Sequence, residues 1–294
     1  MVGIFLSISD MIKSGGASMC DAGITVYNGC IKTLYGILLA NPAGSSPSAT
    51  PTDVSQKLAN VWQGLIGGTA YDILLTIAGA FTITFFVIGF CKDSVDIKKV
   101  GDIENIISMF IRLILSVACV TLVGKWLPYA TSAGIGVCTK IFGKPDMTGI
   151  TMNGNDMLSG IDNSIVSLIF GLIFMIVMIA CGAGILFVGL IRLCKLILYA
   201  CLAPVMLSTI SGGSGINRTA GLWIRNFLAV VFSNVVILLA MFISSGLIGM
   251  KILEDGSNSI LVAIVTIAEV VVVVAFIKTA DTLLDRLFRA PGYR

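Results

Sequence analysis

Five long apolar runs divide the chain, at residues 73–91, 105–124, 164–187, 222–250 and 259–277. An α-helix rises about 1.5 Å per residue, so each run is long enough to cross a hydrocarbon core of about 30 Å. Their alternation with polar connections predicts an all-α, polytopic membrane protein with about five transmembrane helices. Ahead of the first run, Ile24, Tyr27, Ile31, Leu34, Tyr35 and Leu38 recur at helical spacing, as do Val54, Leu58, Val61, Trp62 and Leu65 after "TDVSQ". Two amphipathic helices are predicted there. The loop between them, "NPAGSSPSATPTD", has the prolines, glycine and serines that favour turns. Such helices pack on the ends of spans, lie in the headgroup layer or offer a platform to a partner. A polar stretch at 143–162, "GKPDMTGITMNGNDMLSGID", has no repeated pattern.

Between the third and fourth runs lies "LILYACLAPVMLSTISGGSGINRTAGLWIRNF" (196–227), an apolar stretch that carries Pro204 and a glycine-rich turn before Arg218, Trp223 and Arg225. Proline removes a backbone donor and frees a carbonyl, which at membrane depth must be satisfied by protein or water. Charge decides how this stretch meets the membrane. Loop 92–104, segment 188–221 with Arg225, and tail 278–294 hold most of the 19 Lys and Arg residues, among them Lys92, Lys98, Lys99, Arg192, Lys195 and Arg218. Residues 1–72, 125–163 and 251–258 hold only Lys13, Lys32, Lys57, Lys125, Lys140, Lys144 and Lys251 over a longer stretch. Basic loops stay cytoplasmic, which predicts an external N-terminus, five crossings and a cytoplasmic C-terminus in the inner, cytoplasmic membrane. A full span at 196–210 would separate Arg192 and Lys195 from Arg218 and Arg225. The segment is therefore predicted as a re-entrant or interfacial, proline-broken helix, with a short tilted span and snorkelling Arg192 and Lys195 as the alternative. The resulting organisation is an extracytoplasmic amphipathic-helix region (1–72), a transmembrane domain (73–277) with a cytoplasmic segment (188–221), and a basic cytoplasmic tail (278–294).

Composition agrees with that class: 56% hydrophobic residues, 12% charged residues and a mean hydropathy of +1.00. The opening "MVGIFLSISDMI" has no basic residues before its apolar stretch and reaches Asp10 early, so the N-terminus is expected to be retained. The chain has no histidine, hence neither the usual general base nor the commonest transition-metal ligand. Its eight cysteines have no C-x-x-C spacing. Cys91, Cys119, Cys181, Cys194 and Cys201 read as small apolar filler, and a Cys20–Cys30 disulfide is a weakly supported option. No phosphate-binding loop, nucleophile elbow or paired-carboxylate pattern occurs, so neither an enzyme nor a cofactor is expected. Besides Arg225 at the start of 222–250, two charged residues fall within predicted spans. Glu269, in "TIAEVVVVVAF", costs about 3 kcal/mol near mid-membrane unless protonated or partnered, and Arg112 lies near enough to a span end to snorkel. A lone acid without a second acid or histidine to relay protons suits a polar tie between helices or subunits. "CGAGILFVG" and "ISSGLIG" add small residues that let helices approach closely.

This order of features resembles the TrbL-type polytopic inner-membrane proteins of type IV secretion and conjugation machines. The resemblance is one of pattern, strongest over residues 165–290, and rests on "RLCKLILYACLAPVMLSTISGGSGINRTAGLWIRNF" and the basic tail "KTADTLLDRLFRAPGYR". It implies a non-enzymatic channel or platform subunit, assembled as a homo-oligomeric ring among membrane lipid. Its partners would be secretion ATPases on the cytoplasmic side and pilus or channel subunits, with DNA or protein in transit. By the same resemblance, Arg192, Lys195, Arg218, Trp223 and Arg225 would contact a partner or substrate, although the basic four also read as ordinary positive-inside residues. The rival reading is a secondary transporter or small channel that uses the broken helix as a midplane site.

Overall fold

The computed structural model describes residues 2–39, 53–95, 103–142, 163–249 and 259–288, and among them every regular element is helical. The order is α1 (Val2–Leu39), α2 (Asp53–Ile66), α3 (Thr69–Val95), α4 (Ile103–Phe142), α5 (Ser164–Ser208), a 3-10 turn (Thr209–Gly212), α6 (Gly213–Gly249) and α7 (Ser259–Phe288). Among the described residues, four stretches are long and apolar enough to cross a membrane: Asn60–Lys92, Ile106–Ile141, Ser164–Gly212 and Gly215–Ile243. Large aliphatic side chains such as Ile73, Ile114, Ile165 and Ile173 stand exposed along them, the surface a lipid solvent accepts. The protein is thus a helical, multi-pass membrane protein. The fifth predicted span, 259–277, lies within α7. The polar stretch 143–162 falls outside the described residues.

Three helices outrun their predicted limits. Helix α1 begins at Val2 rather than near Ile24, because the early part of its buried stripe is made of Gly16, Ala17, Cys20 and Gly23, which carry little hydrophobic signal. Helix α4 passes Lys125 and continues through Pro128 to Phe142. Helix α5 runs unbroken for 45 residues, about 67 Å of helix, because "VGLIRLCKLILYACLA" contains no stop signal. Pro204 does not break it. The helix continues to Ser208, and the chain turns at Gly213, whose φ of 73° favours glycine.

The chain divides into two compact units. The first comprises residues 1–38, 141–191 and 235–283, and so contains α1, the beginning of α5, the end of α6 and most of α7. In it α1 lies lengthwise on α5. A Cβ on Gly16 would come within 2.7 Å of the Ser167 carbonyl oxygen, and one on Gly23 within 3.0 Å of Met175 Cα. Gly182 meets Cys30, and Gly189 meets Leu34. Both numbers rise together, so the two helices are parallel. Small residues at these positions permit a backbone approach that larger ones would block. The second unit comprises 39–140, 192–234 and 284–294. Its core packs Trp62 of α2 and Tyr71 and Ala78 of α3 with residues of α4, the end of α5 and the start of α6.

Candidate functional site

The second unit is built around the hairpin of α5 and α6, whose turn is enclosed by protein. Leu207, Ser208, Thr209, Ile210 and Ser211 are all buried, Ser208 completely. A helix end leaves its last carbonyls short of donors, and burying them unpaired costs free energy. Here hydroxyls supply the donors. Ser208 Oγ donates to the Val205 carbonyl (2.6 Å) and Thr209 Oγ1 to that of Met206 (2.7 Å). From α4, Ser116 Oγ lies 3.4 Å from the Leu207 oxygen and 3.3 Å from that of Ser208. Ser211 Oγ lies 2.9 Å from both the Ser208 and the Thr82 carbonyl oxygens, the latter on α3. Thr82 is the central residue of the predicted span 73–91, and Ser116 lies near the centre of 105–124. Beyond Ser211 the turn follows α3, where a Cβ on Gly89 would come within 3.0 Å of Gly212. The Lys92 ammonium lies beside Gly215, 3.7 Å from where its Cβ would be.

Aromatic side chains fill the middle of the hairpin. Trp223 stacks on Phe227 with ring centres 5.4 Å apart, and Trp126 of α4 meets Trp223 and Phe227 edge-on at 6.4 and 6.3 Å. Such pairs are each worth about 0.5–1.5 kcal/mol beyond the area they bury. All three tryptophans of the chain, Trp62, Trp126 and Trp223, belong to this one cluster with Tyr71.

The five residues expected to form a contact surface are dispersed. Arg192 is 4% exposed, and its Nη2 donates to the Val230 carbonyl at 2.6 Å, a bond that pins α5 to α6. Trp223 is likewise buried, Lys195 is half-buried, and Arg218 and Arg225 are exposed on α6. Arg192 is also remote from Lys92. It sits level with Val230, next to Val231, which packs on Gly134 of α4, whereas Lys92 sits by the turn. From Arg192 to Ser208 the unbroken helix covers about 24 Å. The two cations therefore lie at different levels of the second unit.

In the first unit, Glu269 is half-buried on α7 beside the inward residues Thr266, Val270, Val273 and Ile277; Arg112 in the second unit is half-buried on α4. A second acid of the first unit, Asp21, is exposed on α1 just before Gly23, which packs on Met175 of α5. A Cys20–Cys30 disulfide is excluded. The two thiols are free and ten residues apart on one helix, about 15 Å, where a disulfide needs Cα atoms within about 7 Å. Among the described residues no cluster of three or more Cys, Asp or Glu side chains forms a metal site. Comparison with protein-family models and with curated proteins finds no match.

Proposed function

We propose that the chain is a non-enzymatic channel or platform subunit of a type IV secretion machine, set in the inner membrane and serving transfer of DNA or protein. The observation that carries this reading is the enclosed turn between α5 and α6, in the region where the sequence resembles TrbL-type proteins. Its hydroxyl protons are committed to helix carbonyls, so the discontinuity anchors a hairpin among α3 and α4. A transporter's broken helix instead leaves its polar groups to a solute or ion, which weighs against the rival reading. The tryptophan cluster suits a membrane interface, where Trp and Tyr gather. Lipid-exposed flanks leave room for copies to assemble as a ring, with ATPases on the cytoplasmic side and pilus or channel subunits beyond. The N-terminus is external and the C-terminus cytoplasmic in this reading. Deleting the gene should abolish substrate secretion or conjugative transfer while leaving uptake of small solutes unchanged. Normal transfer by the deletion strain, measured as recipient frequency or secreted substrate, refutes it.

A further inference from the structure

We infer that the outward apolar face of α5 is a seam on which a second copy of the chain packs. The inference rests on the assembly of several copies in the reading above, and names the surface that joins them. Ile169, Ile173, Ile176, Ala180, Ala183 and Phe187 are all exposed and follow one another in alternating steps of four and three residues, as the seam of a left-handed coiled coil does. Leu190 and Cys194 extend the same spacing. The face starts at Ile165, which is 63% exposed, and still includes Leu198, 60% exposed and about three helical turns past Phe187. No exposed charge interrupts it, because Arg192 is buried and Lys195 half-buried. The chain's own α1 packs on another side of α5, at Ser167, Gly182 and Gly189.

Length separates lipid from protein as the cover of this face. From Ile165 to Leu198 the helix rises about 50 Å, against a hydrocarbon core of about 30 Å. Transmembrane helices tilt by about 20° on average and by at most about 40°, and a face of that length still rises about 47 Å at the first angle and about 38 Å at the second. Wherever the bilayer lies along α5, one end of the face stands outside hydrocarbon, and exposed aliphatic side chains there gain by burial against protein. A partner that covers the whole face must be apolar over the same length and at the same depth. Ordinary spans end after about 20 residues, whereas a second copy, related by an axis along the membrane normal, brings its own α5 with the same overlong face to the same depth. The area also suffices. A seam about 50 Å long and one helix diameter, about 10 Å, wide buries about 500 Å² on each partner and about 1,000 Å² in total, where specific interfaces begin. A seam confined to about 30 Å of bilayer reaches only about 600 Å² by the same count.

Two measurements on the full chain test this. In the first, the photoreactive amino acid benzoylphenylalanine replaces Ile165, Ile176, Phe187 or Leu198, which lie about three turns apart along the face, in cells that carry two differently tagged copies. Irradiation of native membranes should give adducts containing both tags at two or more of the four positions. Fewer such adducts, whether the label goes to lipid, to another protein or to its own chain, overturn the inference. The second measurement uses the unaltered protein, so it does not depend on how the variants fold. The exposed native Cys194 should react with N-ethylmaleimide at least tenfold more slowly in oligomers held in lipid nanodiscs than after dissociation to monomers in detergent, read by peptide mass spectrometry. A protein that is monomeric in nanodiscs, or one with equal rates, overturns the inference. The gene-deletion phenotype tests the secretion reading separately: lost transfer without adducts removes only the seam, and adducts with normal transfer remove only the secretion role.

Discussion

Glycine substitutions along the α1–α5 contact should have sharply unequal costs, set by what each new methyl group meets. A Cβ on Gly171 would run into the Gly16 carbonyl oxygen, and the reciprocal Cβ on Gly16 would sit 2.7 Å from the Ser167 oxygen. Backbone atoms cannot rotate aside, and an ordinary carbon–oxygen contact needs about 3.4 Å, so the helices must part by most of an ångström at that level. Overpacking of this kind costs about 1–3 kcal/mol. Gly182 differs, because its Cβ would meet the Cys30 thiol at 3.0 Å, and a thiol can change rotamer. Gly29 has nothing within 4 Å, so Gly29→Ala should stabilise α1 by up to about 1 kcal/mol through helix propensity alone. Thermal unfolding in detergent, followed by exposure of the buried Cys20 to a fluorogenic maleimide, should rank the variants Gly29→Ala, wild type, Gly182→Ala, Gly171→Ala from most to least stable. If Gly171→Ala unfolds at the same temperature as Gly182→Ala, the close parallel packing of α1 on α5 is wrong.

Removing the hydroxyls that cap the hairpin should loosen its turn: Ser116→Ala and Ser211→Ala should each cost about 1 kcal/mol, and the double variant should depart from additivity because both hydroxyls approach the Ser208 carbonyl. Strict additivity in detergent unfolding would argue that they act separately. Glu269→Gln should keep assembly and transfer, since an amide still hydrogen-bonds, whereas Glu269→Leu should weaken assembly by stranding its partners. A Gln variant that assembles normally but transfers nothing would identify proton or ion chemistry at Glu269 instead of a structural tie.

Much of the helical content is legible in the sequence because hydrophobic periodicity reports which side of a helix avoids water. Helix α2 is expected from Val54 to Leu65 and forms from Asp53 to Ile66. The beginning of α1 is illegible because burial there is achieved by close backbone approach, and Gly16, Ala17 and Gly23 are buried without being strongly apolar. The length of α5 is hidden for a different reason. Arg192 and Lys195 read as the edge of a span, yet both residue types are good helix formers, and a charge ends a span without ending a helix. Pro204 reads as a break because its missing donor is counted, while the hydroxyls that stabilise the helix end one turn later come from Ser116 on α4 as well as from the turn itself. A contact between residues so far apart in sequence leaves no local pattern.

The basic residues carry the same lesson into function. Positive-inside counting treats every Lys and Arg near a span as a loop charge in water, and by that count Arg192 belongs with Lys92. Its guanidinium is instead held inside the second unit on the Val230 carbonyl, which Ser233 Oγ also approaches at 3.0 Å. Such a side chain is fixed by packing and hydrogen bonding and is closed to an outside partner. A planar guanidinium suits this role better than an ammonium, because it can hold one carbonyl while its other donors point elsewhere. Of the five residues first grouped as a contact surface, the exposed cations are Arg218 and Arg225, seven residues and so about two turns apart on one side of α6. A partner that reads charge on this hairpin therefore meets a pair spaced by about 10 Å, with half-buried Lys195 on the neighbouring helix, rather than a cluster gathered around a broken segment.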